Sequence, residues 1–170
     1  LVKQFGREYS AEKDKMNSAD FSDILHRALN LLAVSDGSGG YIKTDLAREL
    51  SSHYVEILVD EYQDINEAQD MIFRAISADE NNLFTVGDVK QSIYRFRMAC
   101  PELFVEKSNT YKDYTDNNSS NDYCKIQLQN NFRSRDNILS SVNSIFEKIM
   151  IREFGGIAYD EDARLNHGIN

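Results

Sequence analysis

Apolar residues recur at helical spacing at Phe21, Ile24, Leu25, Ala28, Leu29 and Leu32, with Asp20 placed to cap the first turn. The residues before them are charged and weakly patterned. After them, the 35–40 run SDGSGG reads as a flexible loop that ends the helix. Thr44 can cap a second helix carrying Leu46, Ala47 and Leu50. The run Val55-Glu56-Ile57-Leu58-Val59 has the length and β-branching of a strand and stops at Asp60 and Glu61. A third helix places Ile65, Gln69, Ile72, Phe73 and Ile76 on one face, and the LFTV run 83–86 forms a second strand closed by Gly87-Asp88. An amphipathic stretch follows around Ile93 and Phe96, then the single proline, Pro101, and a helix from Glu102. Residues 113–122 are polar and low in complexity, as in a surface loop or short disordered insert. Residues 124–128 alternate like a strand, and Ile138, Val142, Ile145, Phe146 and Ile149 stripe a long helix that Ser134 can cap. Short apolar strands alternating with helices predict an α/β fold with a mainly parallel sheet flanked by helices.

Composition narrows the classes. The chain has 170 residues, 41% of them hydrophobic, enough for one sizeable core. Disorder and collagen are excluded, and no apolar stretch approaches the roughly 18–20 residues that a bilayer needs. No basic segment followed by an apolar one opens the chain, so nothing marks it for secretion. Cys100 and Cys124 cannot build a multi-bridge framework and lack metal-ligand spacing, which favours a reducing interior. A net charge of −9 argues against a protein that coats nucleic acid indiscriminately, while leaving room for a local basic site. The chain opens on Leu1, not methionine, and is expected to be a piece of something larger.

Three clusters can carry chemistry. A buried parallel strand delivers its last residues to the carboxyl edge of the sheet, where ligands of open α/β folds bind. Asp60 there could hold Mg²⁺, directly or through water, and Glu61 could polarise an attacking water. Equally, both acids could simply favour the dipole of the next helix. In the second cluster, Gln91 could bond a phosphate or the attacking water, Tyr94 and Phe96 could stack on unpaired bases, and Lys90, Arg95 and Arg97 could meet the backbone. The plainer alternative is an amphipathic helix with Ile93 and Phe96 inward and the arginines solvated. In the third, Arg133 could reach a γ-phosphate and Phe132 could lie on a nucleobase, or the segment could be a helix-start loop with a buried Phe.

Taken together, LVDEYQD (58–64), VGDVKQSIYRFR (86–97) and NNFRSR (130–135) resemble motifs II, III and IV of UvrD-like superfamily-one DNA helicases. The string GDVKQSIYRFR running into Pro101-Glu102-Leu103-Phe104 is closer still to the AddA-type (RexA-type) subunit of bacterial ATP-dependent helicase–nucleases. The segments 19–23 and 157–161 also look like that group. The resemblance implies a RecA-like (P-loop NTPase) motor domain. Asp60 would then bind Mg²⁺, Glu61 would be the catalytic base for ATP hydrolysis, and Gln63 and Asp64 would link the nucleotide to neighbouring motifs. Gln91 would sense the γ-phosphate, and Tyr94, Phe96 and Arg97 would contact single-stranded DNA. Phe132 would stack on adenine, where many relatives carry Tyr, and Arg133 would contact the γ-phosphate. Val89 and Lys90 replace two acids of the commoner motif, the AddA-like variant, and Ile65 stands where Thr is frequent.

No G-x-x-x-x-G-K-[ST] occurs; the look-alike at 37–44 has no glycine before its lysine. The expectation is therefore a partial first RecA-like domain over 1–134, lacking the phosphate-loop strand, with a helix and tail over 135–170 leading toward the next motor domain. By resemblance, the parent would be a cytoplasmic bacterial ATPase that translocates on single-stranded DNA and unwinds double-stranded DNA in break repair. It would form a heterodimer with an AddB-type partner and touch no membrane. The fragment alone would be inactive. The rival readings are a UvrD/PcrA-type repair helicase without nuclease, and a non-hydrolysing module that binds DNA or protein.

Overall fold

The computed structural model describes residues 1–38, 40–115, 123–151 and 158–168. They form two compact units, one from Leu1–Asp88 with Ser92–Leu103, the other from Val89–Gln91 with Phe104 onward.

In the first unit, α1 (Val2–Lys15) precedes α2 (Phe21–Leu32). Asp20 caps α2 as its position predicts, accepting from the Asp23 backbone N–H, and Asp23 reciprocates to close a capping box. Lys13 of α1 reaches both carboxylates, at 2.9 Å and 2.5 Å. The sequence pattern missed α1 because it buries no residue. The run after α2 is a hairpin rather than a simple loop. β1 (Ala33–Ser35) pairs antiparallel with β2 (Tyr41–Lys43), and Asp36 bonds the N–H groups of Ser38 and Gly40 across the turn. Thr44 caps α3 (Asp45–His53) through the Ala47 N–H. Asn66 and Gln69 form a second capping box on α4 (Glu67–Ile76), leaving Ile65 outside that helix. Leu32, Ala47 and Ala75 join the three helices in the core, flanked by Leu50, Ile72 and Ile76.

The two predicted apolar strands are β3 (Ile57–Val59) and β4 (Leu83–Thr85), paired in parallel with Ile57 opposite Leu83 and Val59 opposite Thr85. Val59 is buried, whereas Leu58 and Phe84, opposite each other, face outward and are exposed. α5 spans Glu102–Thr110, beginning where Pro101 predicts.

The second unit contains the parallel pair β5 (Lys112–Asp113) and β6 (Cys124–Lys125), and the parallel pair β7 (Asn130–Asn131) and β8 (Asn166–His167). Between β7 and β8 runs α6 (Asp136–Ile149). Asn143 of α6 is its polar centre, donating to the Leu165 carbonyl and accepting from Tyr159 Oη and the Leu165 N–H.

Two expectations need correction. The architecture is mixed α/β, but the described residues hold four separate two-stranded pairs, three parallel and one antiparallel, instead of one mainly parallel sheet. Ser134 does not cap α6. The cap position falls to Arg135, which makes no side-chain bond, and the Ser134 N–H donates to Asn131 Oδ1 at 2.8 Å. Most of the low-complexity stretch (116–122) lies outside the described residues, as does part of the 157–161 segment.

Candidate functional site

The tips of β3 and β4 are joined beyond the strands. The Val86 N–H donates to the Val59 carbonyl and the Tyr62 N–H to the Val86 carbonyl, both at 2.9 Å. Between these bonds the chain must turn sharply, and Glu61 takes the left-handed conformation, φ 51° and ψ 40°. A non-glycine residue there is strained by an amount of order 1 kcal/mol or more, tolerated where the surroundings over-determine it. The turn leaves the side chains of Asp60 and Glu61 exposed at the carboxyl edge of the pair, where the sequence puts them.

What over-determines the turn lies directly below it. Tyr62 and Gln63 open a 3-10 turn, Tyr62–Asp64, and are fully buried. The Gln63 amide is used at both ends: Nε2 donates to Glu61 Oε2 at 2.6 Å, and Oε1 accepts from the Asp88 N–H at 2.9 Å. Its carbonyl accepts from Ser92 Oγ. The first acidic cluster and the beginning of the second are therefore joined through one side chain. Tyr62 Oη donates to Asp70 Oδ1 of α4, and Arg74 approaches the other Asp70 oxygen at 3.8 Å and Glu80 at 2.9 Å. Sequence reasoning passed over Tyr62 and Asp70, since an acid in the first turn of a helix reads as a solvated charge.

Asp64 Oδ1 is buried and has no hydrogen-bond partner. No group of three or more metal-binding side chains exists among the described residues. An exposed Asp60 and an under-bonded Asp64 suit a cation that takes one or two carboxylates and fills its remaining sites with water and phosphate oxygens. That is the habit of Mg²⁺.

The stretch after Gly87-Asp88 is not the amphipathic helix of the plainer alternative. Arg95–Arg97 is a single 3-10 turn ended by a left-handed Met98, and Ile93 and Phe96 are exposed. The Arg97 guanidinium sits 5.3 Å from the Tyr94 ring and 5.6 Å from the Phe96 ring, and Arg95 pairs with Glu102 at 2.5 Å. Exposed rings with an arginine laid over them form a stacking surface. Gln91 closes the 3-10 turn Val89–Gln91 and belongs to the second unit, where it is exposed.

Within that unit, Asn131 Oδ1 accepts from the N–H groups of Arg133 and Ser134. This short side-chain-capped turn presents Phe132 and Arg133 outward, both exposed. The Phe132 ring rests against Gly168, which follows β8 and is buried. Asn131 is legible only as a letter of the NNFRSR motif, and nothing in the sequence pattern singles out Gly168.

The chain belongs to the UvrD/REP helicase family: residues 1–112 match the UvrD/REP helicase N-terminal domain. It is 49% identical over 168 residues to the A-subunit of the ATP-dependent helicase/nuclease of Carboxydothermus hydrogenoformans. Identity to the proteins of the same name is 47% in Ruminiclostridium cellulolyticum and 45% in Clostridioides difficile, each over 171 residues. These alignments take in 99–100% of this chain and 13% of each relative's length. The resemblance drawn from the motifs is thereby borne out.

Proposed function

We propose that this chain forms part of the first RecA-like motor domain of an AddA-type helicase–nuclease. The complete protein would hydrolyse ATP to move along single-stranded DNA and unwind double-stranded DNA during break repair in the bacterial cytoplasm, paired with an AddB-type partner. In this reading the first motor domain runs to about residue 134, and 135–170 lead toward the second.

The observation that carries the reading is the Gln63 amide between Glu61 and Asp88. Glu61 is the general base, and its carboxylate is oriented by Gln63 to accept the proton of the attacking water. Asp60 would hold Mg²⁺, whose chemistry there would be charge neutralisation at the phosphates. Gln63 and Asp64 would link the nucleotide to the neighbouring motifs. Gln91 and Arg133 address the γ-phosphate, and Phe132 stacks on the base. Tyr94, Phe96 and Arg97 hold unpaired DNA. The chain contains no phosphate-loop motif, and a triphosphate needs the N–H cradle and lysine of that loop. By itself the chain therefore binds ATP weakly and does not turn it over.

The test is Glu61→Gln in the complete protein, assayed for DNA-stimulated ATP hydrolysis. Loss of general-base catalysis lowers kcat by about 10²–10⁴. Turnover near that of the unaltered protein would refute the role given to Glu61.

A further inference from the structure

We propose that Gly168 is a positioning residue for nucleotide binding: its missing side chain is the space that the Phe132 ring occupies. The inference rests on the reading of Phe132 as the base-stacking platform. Strands β7 and β8 run in parallel with Asn131 opposite His167, and the Gly168 N–H donates to the Asn131 carbonyl at 2.9 Å. That bond holds the glycine beside the residue preceding Phe132. A Cβ at 168 would overlap the ring at Cδ1 and Cε1 and stand 2.8 Å from Cγ.

The backbone does not ask for glycine here, because Gly168 has no positive φ; among the described glycines only Gly37 does. The space asks for it. Turning the ring about its own axis would relieve the clash at Cδ1 and Cε1 but not at Cγ, whose place is set by χ1. A side chain at 168 therefore forces Phe132 into another rotamer or opens the β7–β8 pair, which is only two residues long on each strand. Phe132 is 64% exposed while Gly168 is buried, so its ring leans on the glycine and leaves apolar surface free for a planar base.

The experiment uses the complete protein and a fluorescent ADP analogue, whose Kd is read without turnover, together with steady-state ATP kinetics. Gly168→Ala is expected to weaken analogue binding and raise KM by about tenfold, within the range of a lost base–aromatic stack, with the main effect on KM and not kcat. In a Phe132→Ala background the same change should add nothing. If Phe132→Ala leaves the Kd unchanged, the stacking reading itself fails. If Phe132→Ala weakens binding while Gly168→Ala does not, or if Gly168→Ala acts equally in both backgrounds, the positioning role is overturned. Should Gly168→Ala fail to fold, the pair Phe132→Ala with Gly168→Ala decides: recovery of folding supports collision with the Phe132 side chain, and continued failure refutes it.

Discussion

The carboxylate of Glu61 is held by the amide of Gln63, Nε2 to Oε2 at 2.6 Å, from a side chain that is 1% exposed. A buried amide with both ends engaged cannot swing, so it fixes both where the carboxylate points and how far the 88 loop lies from it.

Gln63→Leu removes the donor to Glu61 and strands the Asp88 N–H at once. We expect kcat for ATP to fall by about tenfold, with little change in KM, alongside a stability loss of about 1–3 kcal/mol for the unpaired buried groups. Steady-state kinetics and denaturant unfolding of the complete protein measure the two effects separately.

Tyr62→Phe keeps the ring and deletes the hydroxyl that bonds the buried Asp70. The carboxylate is then left with Arg74 alone, at 3.8 Å. A hydrogen bond to a charged group contributes about 1.5–3 kcal/mol. Hydrogen exchange of residues 61–76 should accelerate accordingly. Arg74→Ala should cost less, since Arg74 lies near the surface, 57% exposed. Equal exchange in Tyr62→Phe and the unaltered protein would show that the bond contributes nothing.

The contact between α1 and α2 is pH-dependent in a defined direction. Hydrogen bonds from Lys13 and from the Asp23 N–H hold the Asp20 carboxyl down at about 2, against an ordinary 3.8, and Asp23 is lowered by the same lysine. Depressed carboxyls stabilise the folded state above their unfolded pKa, so this contribution is complete above about pH 4 and fades as pH falls toward 2. Lys13 is raised from 10.5 by the two acids, so its contribution fades only in strong alkali. Exchange protection of residues 2–15 should drop in that acid window. Lys13→Met should remove most of the drop by removing the protection beforehand.

Phe96→Ala and Arg97→Ala should weaken single-stranded DNA binding in different ways. Loss of a stacking ring costs about 1–3 kcal/mol at any salt concentration. Loss of the arginine charge also reduces the salt dependence, by about 0.7 in the slope of log K against log salt. Affinities across a salt series distinguish the two.

Local signals in the sequence translated well where one side chain satisfies its own neighbourhood. Asp20 and Thr44 cap their helices, and the Ile57–Val59 and Leu83–Thr85 strands stop beside the acids and the glycine that close them. What failed depended on where an element starts or on distance. Ser134 looked like a cap, but the helix starts one residue later with Arg135 at the cap position, and the 33–43 hairpin hid behind a glycine-rich turn with three-residue arms. Ile93 and Phe96 were a buried helical stripe only in the plainer reading; their segment holds 3-10 turns and both are exposed. Tyr62 with Asp70 and Phe132 with Gly168 are partners made by folding, and no periodicity announces them. The acids, the basic–aromatic stretch and the arginine turn were legible as residue types; the amide that orients Glu61 was legible only as a motif letter.

Glu61 sits in a backbone conformation that glycine would occupy without complaint. Replacing it with glycine would relieve that strain, but it would also leave the buried Gln63 amide without the acceptor it bonds at 2.6 Å and silence the proposed chemistry. The strain at this corner is therefore carried by the same acid that satisfies the buried amide beneath it.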